Sequence, residues 1–210
     1  MDENLTEKEQ IEELAKWWDE NKTFVITGLA LGASILFGWN YYKNQKLTKA
    51  YNASTVHSSL VEAVTAGNAD AVSAAAEQLG GDYAGTPYSS LAPLSVAKLH
   101  MENGDLDAAA AALGDSLNGP GEIASIARLR LARVRIAQDR ASDAVELLGA
   151  PAGQYAALFD EVRGDAYAAM GQREDAKQAY AAALDSEGGA VDRNFVQMKL
   201  DALGLGVDNP

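Results

Sequence analysis

Residues 158–188 read LFDEVRGDAYAAMGQREDAKQAYAAALDSEG, two alanine-rich apolar stretches broken at Gly171. Alanine is the best helix former, and the apolar positions recur at helical rather than strand spacing. Gly164 and Tyr167 lie in the first stretch; Ala176, Tyr180 and Ala183 lie in the second. Two helices whose facing positions are small approach closely, and the aromatics then fill the gap to the next layer. The stretch predicts a helix pair closed by a tight glycine turn.

The pattern recurs upstream. ARLRLARVRIAQDRASDAVELL has Ala132 where the first stretch has Gly164, followed by Ala144 and Leu148. LSVAKLHMENGDLDAAAAAL places Ala97, Gly104, Ala109 and Leu113 likewise. Ala109, Ala144 and Ala176 are spaced by 35 and 32 residues. A helix pair recurring at about 34 residues is the signature of a tetratricopeptide repeat. At either end the pattern degrades. Asn52 to Gly67 and Ala69 to Leu79 form a weaker pair around Gly67-Asn68. Val191 to Leu203 reads as one amphipathic helix, with Phe195, Met198 and Leu203 available to cover the last repeat. Stacked repeats need atypical end units because one face of each stays wet. The expected fold is all-α: a tetratricopeptide-repeat-like solenoid of helix pairs with a C-terminal capping helix.

Ahead of the repeats lies TFVITGLALGASILFGWNYY, Thr23 to Tyr42, without a single charge. About 20 apolar residues suffice for a helix to cross a ~30 Å hydrocarbon core. Trp17, Trp18, Trp39, Tyr41 and Tyr42 flank the run, and Lys22 and Lys43 bracket it, residue types that settle at headgroup level. The preceding segment is long and acidic, unlike the short basic start of a cleaved signal peptide. An uncleaved transmembrane helix is expected. Orientation is not set by charge, because Lys8, Lys16 and Lys22 before the span balance Lys43, Lys46 and Lys49 after it. In the acidic segment Thr6 and Glu9 fit a capping box, and Ile11, Leu14 and Trp18 fall on one helix face.

The net charge is -13, and from Ala50 onward 11 Lys/Arg face 22 Asp/Glu. A field of that sign disfavours nucleic acid. Without cysteine there is no disulfide, thiolate nucleophile or cysteine-ligated metal. His57 and His100 are the only histidines, and neither stands at metal-ligand spacing. The GGDYAG and NGPG loops follow no strand, so they do not cradle phosphate. The chain is expected to be non-enzymatic, with no cofactor, metal or small-molecule substrate.

Two surfaces are candidates for protein binding. Gly28 with Gly32, and Ser34 with Gly38, form small-xxx-small pairs that let a second transmembrane helix approach. In the repeats, the register assigns the concave face to the first helix of each pair. Its residues are Leu91, Leu94, Lys98 and Met101; Ile126, Leu129, Arg133 and Ile136; and Leu158, Glu161, Asp165 and Ala168. Arg128, Arg130, Arg133, Arg135 and Arg140 form the one basic cluster there, read either as a solvated face balanced by nearby acids or as a site for an acidic partner segment.

Taken together, KWWDENK, FGWNYYKNQ, LRLARVRI, VRGDAY and QMKLDAL resemble the YfgM family, ancillary subunits of the SecYEG translocon. The resemblance implies a cytoplasmic segment 1–22, a transmembrane helix 23–42 and a periplasmic tetratricopeptide-repeat-like domain 43–210 in a bacterial inner membrane. It implies association with SecYEG and with the periplasmic chaperone PpiD in assisting newly exported proteins. A cytoplasmic response regulator would meet the N-terminal helix. The other reading left open is an envelope scaffold for division or cytochrome maturation, unconnected to the translocon.

Overall fold

The computed structural model describes residues 7–149, 153–186 and 191–205. Thr6, residues 150–152 and the end of the third repeat at 187–188 lie outside them. The described residues form α1 (Glu7–Thr65), α2 (Ala69–Gly80), α3 (Pro87–Glu102), α4 (Leu106–Asp115), α5 (Gly121–Ala137), α6 (Ala141–Leu148), α7 (Ala156–Ala169), α8 (Arg173–Asp185) and α9 (Arg193–Leu205), with one 3₁₀ turn at Gly153–Tyr155. No strand occurs among them, so the all-α expectation holds.

The chain divides into two units, Met1–Lys49 and Ala50–Pro210. In the first, α1 is the one described helix long and apolar enough to cross a membrane. Large apolar side chains of its 23–42 stretch are exposed: Phe24, Leu29, Phe37 and Trp39 are 69–80% exposed. Residues 43–49 cluster with this unit. Their side chains are exposed, and Ala53 is the first residue of the chain in the repeat core.

The second unit is a succession of helix pairs: the end of α1 with α2, α3 with α4, α5 with α6, and α7 with α8. Each pair turns in the same way. Gly67, Gly104, Asp139 and Gly171 all have positive φ, between 59° and 76°. In each, the left-handed residue donates its N–H three residues back and the next residue donates five back, as in Gly104 to Met101 and Asp105 to His100. This is the Schellman closure of a helix C-terminus, in which those bonds take up orphan carbonyls. Asn68 and Asp105 then cap the following helices, accepting from the N–H of Ala71 and Ala108.

Counted from these turns, Ala97, Ala132 and Gly164 occupy one position, and Ala109, Ala144 and Ala176 the position facing it. All six are buried. Four residues on come Leu113, Leu148 and Tyr180, buried as well. In the degenerate first pair the same count puts Leu60 and Val72 at the small positions, both buried. Among the described residues the core is therefore a chain of four clusters between successive layers, with no central one. In the capping helix the apolar face differs from the expected one. Val191, Val196, Leu200 and Leu203 pack on the last pair, whereas Phe195 and Met198 are 46% and 57% exposed. The register explains this, because Val196 lies 32 residues after Gly164 and takes its place.

Candidate functional site

First helices stand beside first helices. Contacts link α5 to α7 and, more sparsely, α3 to α5, so their outward residues share one face. The turn register sets which residues these are. Lys98, Arg133 and Asp165 each follow the small position by one residue; Met101, Ile136 and Ala168 follow it by four. Residues three before the small position are Leu94, Leu129 and Glu161, and these point inward.

Burial sorts the expected face accordingly. Leu94 and Leu129 are withdrawn from it, because both are buried in the clusters between layers. Leu91, Ile126, Ile136 and Leu158 are half-buried against the same clusters. Lys98, Met101 and Arg133 are exposed and converge with Glu102 and Arg130 around an open cleft of about 520 Å³ between α3 and α5. Of the arginine cluster, Arg140 pairs with Asp143, and Arg135 donates to Gln138 at 2.9 Å. Arg130 and Arg133 are left on the cleft.

Farther along, α7 carries acids where α3 and α5 carry cations. Glu161 is buried, yet it meets Lys199 of α9 at 2.9 Å and Arg133 at 3.8 Å. Lys199 also contacts Asp165 at 2.7 Å and lies over the rings of Phe195 and Tyr180. A buried carboxylate needs such a partner, because desolvation otherwise drives it neutral. The Tyr180 hydroxyl donates to Asp165 at 2.7 Å. Burial first, and the Asp165 carboxylate second, push its ionisation well above the usual tyrosine range. Lys199 was not anticipated. The 32-residue step from Gly164 to Val196 marks α9 as a further first helix but does not say which residues Lys199 meets.

The remaining expectations fall elsewhere. Gly28, Gly32, Ser34 and Gly38 are exposed on α1, and a Cβ added at any of the three glycines would meet nothing within 4 Å. The Ser34 hydroxyl donates to the Ala30 carbonyl at 2.8 Å. Ile11, Leu14 and Trp18 are exposed near the start of the same helix. His57 is half-buried against Tyr88, ring centroids 5.6 Å apart, and burial lowers its pKa. Among the described residues no group of three His, Asp or Glu is placed to hold a metal ion.

A family model described as a tetratricopeptide repeat-like domain matches residues 15–205. The chain is 29% identical to a protein of Escherichia coli over 95% of its own length and 97% of the other's. It is 29% identical to one of Haemophilus influenzae (95% and 98% covered) and 26% identical to one of Neisseria gonorrhoeae (97% and 100% covered). Each relative is named as an ancillary SecYEG translocon subunit. No solved structure matches the chain.

Proposed function

This chain belongs to the tetratricopeptide repeat-like domain family, and we propose that it is a membrane-anchored adaptor of the protein-export machinery. It associates with the SecYEG translocon through its membrane helix and with the chaperone PpiD through its repeats, and it assists newly translocated proteins without catalysing a reaction. The observation that carries the reading is co-linearity. Relatives named for the translocon align over 95% of the chain, anchor and repeats together. A shared repeat domain alone would say only that the chain binds protein.

In this reading segment 1–22 is cytoplasmic, 23–42 spans the inner membrane, and 43–210 is periplasmic. Ile11, Leu14 and Trp18 are then left for a cytoplasmic contact, for which the family resemblance suggests a response regulator. Gly28 and Gly32 offer the closest approach to a partner helix, since transmembrane helices associate by packing and not by the hydrophobic effect. Lys98, Met101 and Arg133 offer the exposed part of the repeat face.

The test is cross-linking of the full chain in native membranes, with recovered partners identified. SecYEG and PpiD peptides are expected, and Gly28→Leu with Gly32→Leu should lower SecYEG recovery at least tenfold. Recovery of division or cytochrome-maturation proteins in their place would overturn the assignment. Protease added to intact spheroplasts should cut the repeat domain; protection would reverse the orientation.

A further inference from the structure

We propose that the cleft between α3 and α5 holds an acidic segment of a partner protein, one that presents carboxylates beside an aliphatic side chain. The inference rests on reading the first-helix face as a docking surface and adds the chemistry of what docks there.

The charge of the cleft runs against that of its unit. From Ala50 onward the acids outnumber the bases twofold, yet Lys98, Arg130 and Arg133 line one cleft against the single carboxylate of Glu102. These cations are poorly spent inside the chain. Lys98 stands 3.6 Å from Glu102 and Arg133 stands 3.8 Å from Glu161, both beyond hydrogen-bond reach. Arg130 forms no ion pair among the described residues. Lys199, by contrast, is saturated by carboxylates at 2.7–2.9 Å. Guanidinium groups grip carboxylates through paired N–H donors, a geometry that Arg130 and Arg133 retain for a ligand.

The apolar half of the ligand follows from Met101. It is 43% exposed on the cleft, and its flexible thioether adapts to a range of aliphatic shapes. The position of the ligand follows from the next layer. Glu161 and Asp165 on α7 repel an acidic chain, so the carboxylates of the partner lie over α3 and α5 only. Because the cations are solvated, each pair contributes modestly and is weakened by salt.

The test uses the full chain in detergent micelles and a fluorescein-labelled peptide of alternating Glu and Leu, beside a twin with Gln for every Glu. The acidic peptide is expected to bind at least tenfold tighter than the twin in low salt. Arg130→Glu and Arg133→Glu together should abolish that preference, and Arg140→Glu, away from the cleft, should preserve it. Circular dichroism checks that each variant keeps its helices. Equal binding of the two peptides, no binding of the acidic one, or an unchanged preference in the double variant would overturn the proposal. A photo-cross-linker at position 101 in native membranes separates this idea from its premise. Cross-links to an export component that vanish in the double variant support both. Cross-links that persist unchanged keep the docking face and dispose of its acidic ligand. No cross-link at all removes the docking face, and the proposal with it.

Discussion

At the scale of single residues the fold is decided by how closely two helices are allowed to approach. A Cβ built on Gly164 lies 2.5 Å from two ring carbons of Tyr180, a contact no packed structure tolerates. The other repeats resolve the same crossing differently, pairing Ala97 with Leu113 and Ala132 with Leu148. Gly164→Ala should therefore destabilise by about 1–3 kcal/mol through overpacking. Tyr180→Leu in the same chain should restore part of that loss. Urea unfolding of the unchanged chain and the three variants in a double-mutant cycle measures the coupling, and strict additivity would refute the account. Asp139 poses the complementary case, a side chain at φ 59° where the other turns have glycine. Asp139→Gly should leave the fold unchanged and shift the urea midpoint toward higher stability, by up to about 1 kcal/mol given the cost of a left-handed residue. A lower midpoint would show that the Asp139 side chain contributes more than its backbone costs.

At the scale of elements, α9 is the informative one. It is held by an apolar stripe, by Lys199 on two carboxylates of α7, and by Arg173 donating to the Leu203 carbonyl at 2.8 Å. Lys199→Met keeps the length of the side chain and leaves Glu161 with only the more distant Arg133. The cost should be about 1–3 kcal/mol, short of a fully buried pair because Lys199 is partly exposed. Hydrogen exchange should rise across residues 193–205 first, and uniform exchange over all helices would contradict a local latch. Most of the element order was legible in the sequence, since alanine at fixed intervals and glycine at the turns report spacing directly. The turn at Asp139 was not, because aspartate signals a left-handed conformation far more weakly than glycine. Nor was the pairing of Lys199. Ion pairs between layers depend on which residues face each other across some 35 positions, and hydrophobic period carries no such information. Leu94 and Leu129 were assigned to the outer face because a helix stripe read in one dimension does not reveal how wide the buried sector is.

At the scale of the whole repeat unit, stability is distributed over four successive clusters and so resembles a sum of neighbour terms. Ending the chain after Ser186 removes α9 and uncovers Tyr180 and Ala183 in the last cluster. Such a truncation should loosen α7 and α8 while leaving α3 and α4 protected in hydrogen exchange. Collapse of every helix at once would show that the unit unfolds as a single block. The contacts have a further consequence, one of time. Substantial contacts join elements only one or two places apart, so the order of packing is the order of synthesis. At ~5–20 residues per second, a helix pair of about 35 residues takes roughly 2–7 s to appear, whereas helical hairpins close within milliseconds. Each layer can therefore close before the next one arrives. No early segment has to wait, exposed, for a distant strand. Among the described helices the last surface to be sealed is the one that α9 covers, and Lys199 fastens it after α7 and α8 are in place.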